Sequence, residues 1–189
     1  RWATHGEPNI INAHPHVDFS GKIALVHNGI IENHSSIRTY LLEQGISFKT
    51  ETDTEALIQL IGFFYREENS QENGDLLSSV RKALQEVRGT FGIIVINKNN
   101  PDKIIAARRG SPLLIGIGNN EYFIASDGSA IVEYTRQVIY VEDNEIAELS
   151  PKDLHFSTIN AVPLQKNVST LEMRLEEIEL SGYSHHMIK

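Results

Sequence analysis

Four short polar clusters hold most of the side chains that could do chemistry in this 189-residue chain: RWATHG (1–6), NAHPH (12–16), HNGIIEN (27–33) and ETDTE (51–55). Their residue types suit a free α-amino acid. An arginine grips a carboxylate bidentately, and an aspartate at a helix start offers a counter-charge to an ammonium. An Asn side-chain amide and a Gly backbone N–H, presented together at the end of a strand, can stabilise the oxyanion that develops when an amide is attacked. Gly helps because nothing on its Cα obstructs a close approach.

Each cluster also has an ordinary reading. Arg1 could be a frayed terminal residue, His14 and His16 loop histidines, Asn28-Gly29 a simple turn, and Asp53 a carboxylate favoured by the helix macrodipole. A metal site is a third option, with HPHVD supplying His14 and His16 and with His5, His27 or Asp127 completing the set. Its usual host is a large α/β barrel, and the strand–helix alternation of that fold is absent.

The elements that must position these clusters follow from periodicity. Lys22 to His27 reads as a short apolar strand ending at the Asn28-Gly29 turn pair. Asn33 reads as the N-cap of a helix running to about Gln44, with Ile37, Tyr40 and Leu41 on one face and Gly45 as its stop. Thr52-Asp53-Thr54-Glu55 fits a capping box opening a second helix striped by Leu57, Leu60, Ile61 and Phe64. NSQENG reads as a polar loop, and a third helix from about Asp75 to Val87 turns Leu77, Val80, Leu84 and Val87 inward. From Phe91 the texture becomes strands and turns: FGIIVIN, KIIAAR, LLIGI, YFIAS, QVIYV and EIAEL. GIIVI is apolar on both faces, as in a strand covered on both sides. Pattern weakens after Ser150, with a strand and short helix expected somewhere in 169–182. Helices early and antiparallel hairpins late imply an α+β layered sandwich.

Composition narrows the function. A net charge of −8 excludes a nucleic-acid-binding role built on a basic face. No apolar run reaches the roughly 18 residues of a membrane span. Cysteine is absent, which removes disulfides, thiolate metal sites and a cysteine nucleophile from these residues and accords with a reducing, cytoplasmic setting.

RWATHGEP, NAHPH, HNGIIENH, ETDTE, ARRGSPL and IASD, in this order, resemble the glutaminase domains of the glutamine–fructose-6-phosphate aminotransferases, class II glutamine amidotransferases of the N-terminal-nucleophile hydrolase type. The resemblance runs from Arg1 to the terminal SHHMIK. RYST and NAQP, favoured by the related phosphoribosylpyrophosphate amidotransferases, are replaced here by RWAT and NAHP. It implies a four-layer αββα sandwich, incomplete at its N-terminus, with a glutaminase domain over 1–168 and the end of that domain and the start of a linker over 169–189. It implies that Arg1 binds the glutamine α-carboxylate, that Thr4 and His5 are neighbouring substrate contacts, and that Trp2 gates an ammonia channel. It further implies that Asn28 and Gly29 form the oxyanion hole and that Asp53 receives the glutamine ammonium.

The same resemblance implies a nucleophile that this chain lacks, because the family uses an N-terminal cysteine whose α-amino group serves as base. Truncation within the domain is the expected reason, with processing at Arg1 the competing one. On this reading the 189 residues alone are inactive, and the complete protein hydrolyses glutamine to supply ammonia for making glucosamine 6-phosphate. The implied partners are L-glutamine and a C-terminal sugar isomerase domain that takes fructose 6-phosphate, in a homodimer, with no metal or organic cofactor. A glutamine-binding regulatory module without catalysis is the alternative.

Overall fold

The computed structural model describes residues 6–69 and 75–171. A short strand β1 (His16–Val17) precedes the long β2 (Ile23–Ile31). Three helices follow, α1 (His34–Glu43), α2 (Asp53–Asn69) and α3 (Leu76–Glu86). The remainder is strands: β3 (Gly89–Asn97), β4 (Asn100–Arg109), β5 (Leu114–Ile117), β6 (Tyr122–Ala125), β7 (Gln137–Tyr140), β8 (Glu145–Leu149), β9 (Leu154–Thr158), β10 (Pro163–Leu164) and β11 (Ser169–Thr170). A 3-10 turn at Gly128–Ala130 lies between β6 and β7.

Two antiparallel sheets result. The larger has the order β1-β2-β3-β4-β8-β9-β10 and the smaller β11-β7-β5-β6. Alternate residues of the central strands explain the layering. Ile23, Leu25, Ile93, Val95, Ile105 and Ile146 turn to one side and pack against the helices in a single core. Ala106, Ala147 and Leu149 turn to the other and meet Ile115, Ile139 and Val141 of the smaller sheet. The outer side of that sheet buries Leu114 and Val138 against Ile131, Val132 and Leu171. The order is therefore helices, large sheet, small sheet, and a cover provided among the described residues by the 3-10 turn and the segment after it. This is the α+β sandwich that the sequence implies.

Local signals hold with instructive exceptions. Helix α1 ends in a two-bond reverse turn, in which Gly45 (φ 78°) donates to the Leu42 carbonyl at 3.0 Å and Ile46 to the Leu41 carbonyl at 2.9 Å. Asn33 does not cap α1 with its side chain. Its amide instead donates to the Glu86 carbonyl at 2.9 Å and accepts from the Arg88 N–H at 2.9 Å, tying α1 to the α3–β3 connection. Tyr40, expected on the inner face of α1, is 45% exposed. In α3 the buried row is Leu76, Ser79, Val80, Ala83 and Leu84, so Leu77 turns partly outward. Ile96 is also exposed, so β3 is covered on both faces only over its middle. Strand β9 was not expected at all. NSQENG and the expected helix beyond residue 171 fall largely or wholly outside the described residues.

Candidate active site

Asn28-Gly29 is not a turn. Strand β2 continues through it, pairing with β3 from Ile23↔Asn97 to Ile31↔Gly89 without a register shift. The dipeptide thus lies inside the large sheet, near the β2 end that β1 does not reach, since β1 pairs only with Ala24 and Leu25. Gly29 has φ 134°, and a Cβ there would sit 2.2 Å from the Thr90 carbonyl oxygen and 3.0 Å from His27 Nε2. Only glycine fits this backbone without displacement.

Ladder alternation fixes which way the amides face. Ile23 C=O accepts from Asp18 N–H, on the β1 side, while Lys22 C=O accepts from Lys98 N–H and Glu32 N–H donates to Arg88 C=O, on the β3 side. Ile31 N–H leaves on the first of these sides, where it meets Asp53 Oδ2 at 2.8 Å. Odd-numbered residues therefore turn their backbone groups away from β3, and the Gly29 N–H faces the same edge as Asp53. Two residues of strand separate the Gly29 and Ile31 amides by about 7 Å. The Asn28 side chain is exposed, on the opposite face from His27 and Ile31, and it has no hydrogen-bond partner among the described residues.

Asp53 opens α2 and is 1% exposed. The loop before it is held by its neighbours. Thr52 Oγ1 accepts from the Glu55 N–H at 3.1 Å, which is one half of the expected capping box. The other half does not form. Glu55 grips the incoming chain instead, accepting from Lys49 N–H at 2.8 Å, Thr50 N–H at 2.6 Å and Thr50 Oγ1 at 2.7 Å. Arg38 donates to the Thr50 carbonyl at 2.9 Å and lies 4.1 Å over the Phe48 ring. This clamp sets where Asp53 meets β2.

Gly6 connects the first cluster to the fourth, because a Cβ built there would lie 2.7 Å from Asn12 Nδ2 and 3.5 Å from the Glu51 Cβ. Arg1, Trp2, Thr4 and His5 lie outside the described residues. His16 is buried, with Nε2 3.4 Å from Thr52 Oγ1, and packs edge-to-face on His14 at 5.5 Å. His27 bonds to Thr54 and Thr90, and Asp127 caps the 3-10 turn by accepting from Ser129 N–H at 2.8 Å. Among the described residues no three such side chains converge as a metal would require, so His27 and Asp127 do not complete a set with His14 and His16, and the version completed by His5 lies outside the described residues.

The ARRGSPL run is structural. Arg109 donates to the Val87 carbonyl at 2.8 Å and the Leu84 carbonyl at 3.4 Å, closing the C-terminus of α3, and bonds to Asn144 Oδ1 at 2.7 Å. Burial pushes the pKa of its guanidinium down from the ordinary value. Arg108 donates to the Ser111 and Val141 carbonyls at 3.0 and 2.6 Å. A cleft of about 780 Å³ lined by Leu77, Arg81, Tyr122, Glu148 and His155 shares no residue with the Asn28–Asp53 cluster.

Sequence reasoning gave His27 only as a possible metal ligand, Thr54 only as part of a capping box and Thr90 no role, whereas the three side chains and backbones meet beside Gly29. One signal was available: His27 occupies an inward position of a strand whose other inward positions are Ile23, Leu25, Gly29 and Ile31.

The two-sheet sandwich with one helical face is the fold of solved glutamine amidotransferases. It superposes on a glutamine phosphoribosylpyrophosphate amidotransferase from B. subtilis with a TM-score of 0.66 at 24% identity, over 84% of this chain and 33% of that one. A glutamine aminotransferase class-II domain protein from Silicibacter pomeroyi aligns with a TM-score of 0.51 at 14% identity, over 80% of this chain and 71% of that one. The chain belongs to the glutamine amidotransferase domain family, whose model matches residues 11–133. Over its whole length it is 46% identical to the glutamine–fructose-6-phosphate aminotransferases (isomerizing) of Chlorobaculum tepidum and Bacteroides thetaiotaomicron. It spans 30% of the length of each.

Proposed function

We propose that this chain is the glutaminase part of a glutamine–fructose-6-phosphate aminotransferase, which hydrolyses L-glutamine and passes the ammonia to fructose 6-phosphate to form glucosamine 6-phosphate. The observation that carries the reading is the shared edge of β2, where the Gly29 amide and the Asp53 carboxylate stand two strand residues apart. Extended glutamine measures roughly 5 Å from its ammonium nitrogen to its amide carbon by standard bond lengths. An ammonium at Asp53 therefore brings the scissile amide to Gly29, with the Asn28 amide as second donor to the oxyanion. Arg1, with Thr4 and His5 beside it, binds the α-carboxylate, and Trp2 gates the path of ammonia.

The 189 residues contain no cysteine, so they bind and polarise the substrate but do not supply the attacking thiolate. The nucleophile and the sugar isomerase domain belong to the complete protein, which we place in the cytoplasm as a homodimer. Among the described residues no helix is long and apolar enough to cross a membrane. We assign 1–168 to the glutaminase domain and 169–189 to the end of that domain and the start of a linker, a reading in which β11 and the buried Leu171 still belong to the domain.

The test is a product assay. The complete protein should release glutamate from glutamine and, given fructose 6-phosphate, form glucosamine 6-phosphate, while the purified 189 residues bind glutamine without turning it over. No sugar product from the complete protein, or turnover by the short chain, contradicts the reading. Glutamine binding with no hydrolysis in either would instead identify a regulatory module.

A further inference from the structure

We propose that His27 is a positioning residue for the oxyanion side of this site, tying the start of α2 to the strand pair that carries Gly29; this rests on the amide-hydrolysis reading above. His27 is 5% exposed, and its two ring nitrogens reach different elements. Nδ1 lies 3.0 Å from Thr54 Oγ1, on the residue after Asp53, and Nε2 lies 3.3 Å from the Thr90 carbonyl oxygen on β3. A carbonyl only accepts, so Nε2 carries a proton towards Thr90, while Nδ1 and the Thr54 hydroxyl, which can donate or accept, share the other hydrogen bond. The Thr90 carbonyl is the atom against which Gly29 is seated, and Thr90 Oγ1 accepts from the Ile30 N–H at 3.2 Å.

Asp53, Thr54, His27, Thr90 and Gly29 thus form one continuous chain of covalent neighbours and contacts. Its two ends are the group proposed to take the ammonium and a donor proposed to meet the oxyanion. The ring sits behind Gly29, on the helix side of the sheet, with both nitrogens engaged by protein. It acts through Gly29 and Thr90 rather than on substrate.

Substitutions separate the two links. His27→Asn keeps a hydrogen-bond partner near the Nδ1 position for Thr54 but cannot reach the Thr90 carbonyl. His27→Gln carries an amide N–H out to about the Nε2 position. In the complete protein, His27→Asn should lower kcat for glutamine hydrolysis by about ten- to a hundredfold, the scale expected when a donor moves by about 1 Å, with KM changed less than about threefold. His27→Gln should recover most of that loss. Thr54→Val, which removes a hydroxyl at nearly constant volume, should lower kcat severalfold with KM unchanged, and it decides the matter if His27→Asn does not fold. Equal kcat in the Asn and Gln variants, whether wild-type or abolished, or a loss expressed in KM, overturns the proposal. A wild-type protein without glutaminase activity overturns the underlying reading instead.

Discussion

Gly29→Ala puts the geometry of β2 to a quantitative test. The new Cβ would stand 2.2 Å from the Thr90 carbonyl oxygen, and Cβ atoms are essentially never found closer than 3.0 Å to another heavy atom. The strand pair must therefore open by about 0.8 Å there, or Gly29 must leave φ 134°. Holding a residue with a side chain in that backbone region costs about 1–3 kcal/mol. The steric displacement adds a similar amount, as overpacking in a core does. A total of about 2–6 kcal/mol should lower Tm by roughly 4–24 °C for a unit of this size. The displacement is close to the 1 Å that costs about a hundredfold in a positioned reaction, so kcat should fall by at least that factor. Thermal unfolding followed by circular dichroism reads the first effect, and glutamate release by the complete protein reads the second. An alanine variant that melts within 2 °C of wild type and keeps its turnover would refute both the backbone argument and the place of Gly29 in the site.

Asp53→Asn keeps an acceptor for the Ile31 N–H but removes the charge, so Tm should hold while KM for glutamine rises about ten- to a hundredfold, the worth of a hydrogen bond to a charged group. Arg109→Met opens the C-terminus of α3 and should destabilise the fold by about 2 kcal/mol, measurable in urea, with no rescue by lysine because three acceptors share one planar guanidinium. Lys103 is held above its ordinary pKa of 10.5 chiefly by its hydrogen bond to Glu148. A pKa raised on folding contributes stability below the unfolded value that disappears as pH climbs through the folded one. Lys103→Met should thus lower stability slightly at neutral pH, by less than about 1 kcal/mol for so exposed a pair, and match wild type once the ammonium is titrated above pH 10.5.

What the sequence disclosed depended on how local its cause was. The stripes of α2 and the Gly45 stop of α1 are set within a few residues and could be read directly. Asn28-Gly29 misled as a turn because nothing local shows that β2 pairs with β3 more than 60 residues on, and that pairing makes a strand glycine of what looks like turn chemistry. Asn33 and Glu55 follow the same rule: each sits in a good capping position, yet each spends its side chain on a different segment. Strand β9 was hidden by His155 and the polar residues after Phe156, since its order comes from pairing with β8 rather than from its own pattern. The roles proposed for Asn28, Gly29 and Asp53 rest on their residue types and on family resemblance, and only the fold shows Gly29 and Asp53 on one edge. His27 offered a single inward polar position, and its partners Thr54 and Thr90 are distant in sequence.

If Asn28 and Gly29 meet the oxyanion rather than the ground-state substrate, steady-state glutamine hydrolysis by the complete protein carrying Asn28→Ala will show it in kcat. Asn28 is exposed and makes no hydrogen bond among the described residues, so its loss should leave stability within about 0.5 kcal/mol. In that variant kcat should fall by about a hundred- to a thousandfold with KM nearly unchanged. A raised KM with kcat intact would contradict the oxyanion role.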